Sequence, residues 1–248
     1  MRTALTPAAA VLAACAAAAC SFFRPPAGGL PGDEESASGA DACSRAAMID
    51  DAEDGDDQIL LREGRGGYLY TFVDETGSTV WPGDDAFAVS AAGGGRAGTA
   101  LRVKGALSAG AEVYAGLGLA FAEPVGPYDA SRYTGIAFLA RRAPGTQARV
   151  RVSVADANSA PEAGVCKECD NNFGLSFEMA EQWTRYEVAF AELTQESGWG
   201  DPRPPALDRT RLYGIQWQVA QTGQKFDFWI DDVSFIGCPG GGASEVAP

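Results

Sequence analysis

The sequence contains no histidine at all. A chain without histidine cannot use Ser-His-Asp or Cys-His catalysis, cannot bind zinc through imidazole, and lacks the most usual general base at neutral pH. Basic residues are also scarce, with 19 Lys and Arg against 33 Asp and Glu, so the formal net charge is −14. This excess of acid disfavours DNA, RNA and anionic lipid headgroups as partners, because each of these selects basic surfaces.

A long apolar run is missing as well. Residues 1–20 combine an early arginine, a short alanine-rich apolar segment and small residues, which is typical of a secretory signal peptide. The segment is too short to predict a membrane-spanning helix, which needs about 20 apolar residues. Leu12–Cys15 resembles the cleavage box of bacterial lipoproteins, and Ala17–Cys20 is a second, looser match. We therefore expect an exported protein at the bacterial cell envelope or surface, held there by a lipid on Cys15 or Cys20. The sequence does not decide between the two cysteines.

Two other segments lack the apolar residues that a folded core needs. Residues 21–42 are rich in Pro, Gly, Ser, Ala and acidic residues, and residues 239–248 have a similar character. Neither segment can bury enough apolar surface to offset the entropy of ordering, so we predict a flexible linker and a disordered tail. The remaining residues, 43–238, are numerous enough for one domain with its own core, which we expect to be monomeric.

Cysteine is used sparingly in the predicted domain, which contains only Cys43, Cys166, Cys169 and Cys238. An even number of cysteines in an exported protein indicates disulfides, and four cysteines allow three pairings. The simplest pairing joins Cys43 to Cys238 at the ends of the domain and Cys166 to Cys169 within one loop. A zinc site is disfavoured, because it needs four Cys or His ligands and the chain offers one CxxC pair without histidine.

Apolar and polar residues alternate in many short runs, whereas the periodicity of helices is nearly absent. In Arg149–Val154 the three valines share one face and polar side chains the other. The same alternation in β-structure assigns Trp217 to the core, and we expect Trp183 and Trp229 there too. Clusters of Gly and Pro separate the runs, which predicts an all-β sandwich or jelly roll. The predicted strands are 69–73, 99–104, 116–121, 135–140, 149–154, 183–190, 212–219 and 226–236, after a first acidic strand at 48–54.

Several of these segments resemble galactose-binding-like carbohydrate-binding domains, and family 11 carbohydrate-binding modules in particular. The segments are Ile49–Gly55, Tyr68–Tyr70 with Asp74–Gly77, Trp183–Leu193, Leu212–Trp217 and Phe228–Phe235. The resemblance covers most of 48–236. It implies a single β-sandwich jelly roll that binds polysaccharide without catalysis. The chain departs from the pattern at Ala52, where an aromatic residue is common, and in the added loop that contains Cys166 and Cys169.

The first and last predicted strands both carry an Ile-Asp-Asp triplet. In the fold that the resemblance implies, a structural Ca²⁺ commonly joins these two strands, and calcium takes six to eight oxygen ligands. Alternation lets only one acid of each Asp-Asp pair face such a site, so the sequence does not select between them. The predicted calcium ligands are Asp51, Glu53, Asp231 and Asp232.

A sugar presents an apolar C–H face and a ring of hydroxyls, so its site combines exposed aromatics with polar groups that form paired hydrogen bonds. Aromatic residues outside the predicted core and polar residues at outward strand positions are therefore the candidates. They are Tyr70, Trp81, Tyr114, Arg149, Arg151, Trp199, Gln216 and Gln218.

The sequence thus predicts a non-catalytic carbohydrate-binding protein, stabilised by calcium and disulfides, that meets the membrane only through its lipid. Two alternatives remain open. One is a structural or adhesion module that binds protein at the cell surface. The other is a glycosidase or lyase that uses two carboxylates, which would need to lie about 5–10 Å apart.

Overall fold

The computed structural model describes residues 39–238. The predicted signal peptide, both candidate lipidation sites at Cys15 and Cys20, most of the predicted linker and the tail lie outside the described residues. Within 39–238, no helix combines the length and apolar character that a membrane crossing requires. One helix, α1 at Gly39–Ala47, begins inside the segment predicted as a linker.

Twelve strands follow the helix. They are β1 Met48–Asp50, β2 Leu69–Val73, β3 Thr79–Trp81, β4 Val89–Gly93, β5 Arg96–Ala106, β6 Ala115–Ala120, β7 Gly135–Arg142, β8 Arg149–Asp156, β9 Phe173–Glu178, β10 Thr184–Ala189, β11 Leu212–Val219 and β12 Lys225–Ile236. Short 3₁₀ turns occur at Pro161–Ala163 and Phe190–Glu192.

The strands form two antiparallel sheets that pack face to face. Sheet A has the order β10-β7-β12-β5-β3, with β1 added on β12 and β4 added on β5. Sheet B has the order β2-β6-β11-β8-β9. The first and last strands therefore lie side by side, as the paired triplets predict, with Met48 opposite Ser234. The predicted β-sandwich jelly roll is confirmed.

The core lies between the sheets and follows from the alternation of the strands. Val150, Val152 and Val154 of β8 face inward next to Ile215 and Trp217 of β11, and all five are buried. Burying one aliphatic side chain of this kind stabilises the fold by about 1.5–3 kcal/mol. Outward positions on the same strands are thereby left available for binding.

All eight of the predicted later strands are present, but the prediction missed β3, β4 and β9. The first acidic strand is also shorter than predicted, because it ends at Asp50. Ala52 has a φ of 56°, a left-handed conformation that turns the chain out of the sheet. The acids after Asp50 consequently sit in turns and not at alternating strand positions.

The prediction that three tryptophans share the main core is right only for Trp217. Trp229 is buried on the outer surface of sheet A, where it packs with Ala92 and Ala100 beneath the β4–β5 hairpin, and Trp183 packs against the same small cluster. The cause is parity in β12: its neighbours Phe228 and Ile230 point inward, so Trp229 must point outward.

Disulfides join Cys43 to Cys238 and Cys166 to Cys169. The first bond connects residues 195 positions apart. In the chain-entropy model, closing so long a loop stabilises the native state by about 4–5 kcal/mol. The second bond closes a short loop that precedes β9 and the outer surface of sheet B.

Candidate functional site

Two adjacent rows of side chains cross the outer surface of sheet B. The register places Tyr70, Gly118, Gln216, Ser153 and Gly174 side by side from β2 to β9. A second row repeats the order aromatic, glycine, glutamine, polar one step further along the strands. It consists of Phe72, Gly116, Gln218, Arg151 and Ser176. We call this surface the sheet B face.

The glycines of β6 let the aromatic rings of β2 lie flat on the sheet. A Cβ atom at Gly118 would come within 2.5 Å of the Tyr70 ring, and one at Gly116 within 2.6 Å of the Phe72 ring. The absence of side chains at these two positions therefore makes room for the rings. The sequence alone does not reveal this, since glycine in a strand is more often a sign of a bulge.

An aromatic ladder runs along this edge of the face. Ring centroids are separated by 5.8 Å between Tyr68 and Tyr70, by 6.3 Å between Tyr70 and Phe72, and by 6.3 Å between Phe72 and Tyr114. Tyr114 remains 41% exposed at the end of the ladder. Tyr68 and Phe72 were not predicted as ligand contacts, although their spacing of two from Tyr70 already places all three on one side of β2.

Polar groups continue from the ladder across the sheet. Gln216 Nε2 donates a hydrogen bond to the Tyr70 hydroxyl at 3.0 Å, and Gln216 Oε1 accepts one from Asn172 Nδ2 at 3.3 Å. Asn172 Oδ1 in turn accepts a hydrogen bond from Ser159 at 2.7 Å. Burial raises the pKa of Tyr70 to about 12, so its hydroxyl stays protonated and can donate to a ligand.

Arg151 occupies the opposite side of the face. Its guanidinium donates to the backbone oxygens of Asn172 and Thr194 and pairs with Glu196 at 3.7 Å. Glu196 also accepts a hydrogen bond from the indole of Trp199, which is 41% exposed. Trp199 is therefore connected to the sheet B face through Glu196, although it lies in a loop.

A cleft of about 220 Å³ opens at the end of the face nearest Tyr68. Its walls contain Tyr70, Gln216 and Asn172 together with Asp170 from the loop that the Cys166–Cys169 disulfide closes. The loop that departs from the family pattern thus contributes a wall of the cleft. Gln218 and the exposed Arg149 lie further along the same surface, beyond the cleft.

Seven of the eight predicted ligand residues thus lie on the sheet B face or in the loops around it, and Trp81 does not. Trp81 belongs to β3, an outer strand of sheet A, where it pairs with Lys104. Alternation assigns a side chain to one side of its strand, but it does not determine which sheet the strand joins. A single site containing all eight residues is therefore not formed.

The predicted calcium ligands lie near the paired first and last strands but are engaged by other groups. Arg96 donates to Asp231 through Nε and to Asp232 through Nη2, the latter at 2.7 Å. Glu53 accepts a hydrogen bond from the backbone N–H of Thr99 at 3.1 Å. Within residues 39–238, no three acidic, histidine or cysteine side chains converge as a metal site would require. The predicted four carboxylates are thus not gathered around one point.

Burial rather than a neighbouring metal governs the charge of two of these acids. Desolvation raises the pKa of Asp50 to about 7 and that of Asp231 to about 6, while the hydrogen bond from Arg96 opposes the rise at Asp231. Asp50 was not among the predicted ligands. Its Oδ1 accepts a hydrogen bond from the backbone N–H of Ala52 and so fixes the turn at the end of β1.

Known structures share this fold. A family 11 carbohydrate-binding module from Clostridium thermocellum, solved in complex with a β-1,3-1,4-mixed-linked tetrasaccharide, matches with a TM-score of 0.52 and 17% identity over 77% of this chain and 95% of that chain. The family 11 module of a cellulosomal cellulase from the same organism gives a TM-score of 0.52 and 15% identity, with the same coverage. No protein-family model and no curated protein matches the chain. The similarity therefore establishes that the chain has the fold of these modules.

Proposed function

We propose that the protein binds polysaccharide on the sheet B face without altering it. The observation that carries this proposal is the double row of aromatic, glycine and glutamine across β2, β6 and β11. The rings offer flat apolar surface to the C–H face of a sugar, and the amides offer paired donors and acceptors to its hydroxyls. The Tyr70–Gln216–Asn172 chain holds these groups in place before a ligand arrives, which lowers the entropic cost of binding.

The fold similarity supports the same reading, because one of the matching modules is described as a complex with a mixed-linked tetrasaccharide. The absence of histidine and the engagement of Asp231 and Asp232 by Arg96 favour binding over hydrolysis. The proposal extends to export and lipid anchoring through Cys15 or Cys20, so that the sheet B face would act at the cell surface.

The proposal is tested by affinity electrophoresis and calorimetry with mixed-linkage β-glucan and the β-1,3-1,4-linked tetrasaccharide, followed by a wider set of neutral glycans. Tyr70→Ala should weaken binding about tenfold or more, because it removes both a ring contact and a hydrogen bond. Trp81→Ala, a matched aromatic truncation on the other sheet, should leave the affinity for neutral glycans unchanged.

Absence of binding to every neutral glycan would contradict the proposal and favour a protein-binding surface module. Release of reducing sugar by the purified protein would contradict its non-catalytic part. An equal loss of affinity in Tyr70→Ala and Trp81→Ala would show that binding does not take place on the sheet B face.

A further inference from the structure

We propose that the outer surface of sheet A carries a second saccharide site, centred on Trp81, that selects an anionic sugar. The site is a groove of about 390 Å³ at the β3 edge of the sheet. Its argument rests on an exposed indole, on two ammonium groups beside it, and on the neutralisation of the nearby carboxylate. The groove is independent of the sheet B face and of the function proposed for that face.

Trp81 provides the apolar contact of the groove. Its side chain is 39% exposed although it lies in a strand, whereas Trp217 and Trp229 are buried. The register places Trp81, Lys104 and Asp227 side by side on β3, β5 and β12. An exposed indole on a rigid strand is a suitable platform for the C–H face of a pyranose.

The groove contains two of the three lysines in the whole chain, Lys104 and Lys225. The Lys104 ammonium lies 4.8 Å from the centroid of the Trp81 ring. Lys225 is exposed one residue beyond the end of this row. In a chain with a net charge of −14, this local concentration of positive charge sets the groove apart from the acidic remainder.

The single carboxylate in the groove does not compensate these lysines, because Arg102 already pairs with it. Arg102 binds Asp227 through both Nε and Nη2, at 2.9 and 2.8 Å, and stacks on Trp229. Within residues 39–238, neither Lys104 nor Lys225 forms an ion pair, whereas the third lysine, Lys167, pairs with Asp201. An incoming carboxylate or sulfate would therefore find two ammonium donors available.

A saccharide that carries an anionic group satisfies both features at once. Its ring contacts the indole, and its carboxylate or sulfate accepts charge-assisted hydrogen bonds from the lysines. A neutral sugar would use only the indole and should bind more weakly. Uronates and sulfated sugars share this chemistry, and the experiment distinguishes them.

The test is calorimetric titration of the full domain with trigalacturonate, a sulfated galactan oligosaccharide and neutral galactotriose, at low and high salt. At least one anionic probe should bind more tightly than galactotriose, and high salt should weaken it. The probe that binds identifies the anionic group. Lys225→Ala should reduce its affinity about two- to fivefold, as expected for one exposed ion pair, and Trp81→Ala should reduce it further. The fold of each variant is checked by its NMR spectrum.

Lys167→Ala is the matched control, since it removes the remaining lysine and should leave the anionic affinity unchanged. Tyr70→Ala should also leave it unchanged, which separates this site from the sheet B face. The proposal is overturned if neither anionic probe binds, if Lys225→Ala and Trp81→Ala bind as the wild type does, or if Tyr70→Ala abolishes anionic binding. Failure of neutral glycans to bind anywhere would contradict the proposed function and leave this site standing.

Discussion

At the scale of single residues, two buried acids respond to pH in opposite directions. The carboxylate of Asp74 accepts hydrogen bonds from Ser78, Thr76 and the backbone of Tyr114, and these bonds hold its pKa below the usual range although burial raises it. Asp50 lacks such compensation, and its pKa rises to about 7. Asp74 therefore stabilises the fold above its ordinary pKa near 4 and loses this contribution in acid.

Asp50→Asn should make the protein more stable above pH 7. Because the folded pKa of Asp50 exceeds the unfolded value, the wild type loses stability as the pH rises from about 4 to 7, where the buried carboxyl must ionise. Asn keeps an acceptor for the Ala52 N–H without ionising, so the gain at pH 8 should be about 1 kcal/mol or more. Urea denaturation at pH 5 and pH 8 measures it, and an equal difference at both pH values would contradict the assignment.

The sequence located part of the candidate site at this scale. Tyr70, Gln216 and Gln218 could be predicted because alternation alone fixes which side chains leave the core. Asn172 could not, since it belongs to a loop whose path is set by the Cys166–Cys169 closure and by contacts distant in sequence. Trp81 shows the complementary limit, because its exposure was predictable but its sheet was not.

At the scale of the elements, β6 is the strand on which the sheet B face depends. It lies between β2 and β11 and presents Gly116 and Gly118 outward, so the rings of Tyr70 and Phe72 can cover it. The inward residues of the same strand, Leu117 among them, fill the core. One strand thus serves packing on one side and binding on the other.

Gly118→Ala should weaken glycan binding while the fold persists. The added methyl group would lie 2.5 Å from the Tyr70 ring, which must move away and give up its hydrogen bond to Gln216. Calorimetry should show an affinity loss of about threefold to tenfold, corresponding to roughly one hydrogen bond. Gly126→Ala is the control, because a Cβ there meets only one atom, at 3.6 Å. Equal affinities in both variants would exclude this role for Gly118.

Strands with clear alternation were predictable, and the strands that lack it were not. β11 was predicted with its exact limits because Ile215, Trp217 and Val219 alternate with polar or small residues. β3 has three residues, and β4 consists largely of Ala, Ser and Gly, so neither carries an apolar pattern. Both are held by pairing with the long β5, a contact that becomes visible only in three dimensions.

At the scale of the whole molecule, the sandwich and the meeting of its ends were predictable, whereas the calcium site stays a prediction. The triplets do meet, but Arg96 spans Asp231 and Asp232 where a cation was expected. A calcium ion at this position would have to displace the guanidinium or bind beside it. The identity of the cation there could not be read from the acids alone, because Arg96 lies 135 residues from Asp231.

If calcium binds, EDTA should lower the Tm and added calcium should restore it. A ligand present at a hundred times its Kd stabilises the fold by about 2.7 kcal/mol, which is a shift of several degrees for a domain of this size. Magnesium at the same concentration is the control. A Tm that EDTA leaves unchanged would contradict the calcium prediction and would leave Arg96 as the only cation bridging these acids.

The bond between Cys43 and Cys238 has a mechanical consequence. It links the first and last parts of the domain while β1 and β12 run side by side behind it. A pull applied to the chain ahead of Cys43 and behind Cys238 would pass through one covalent bridge and would bypass both sheets. A domain that grips a polymer from a cell surface under flow would then bear that load without unfolding.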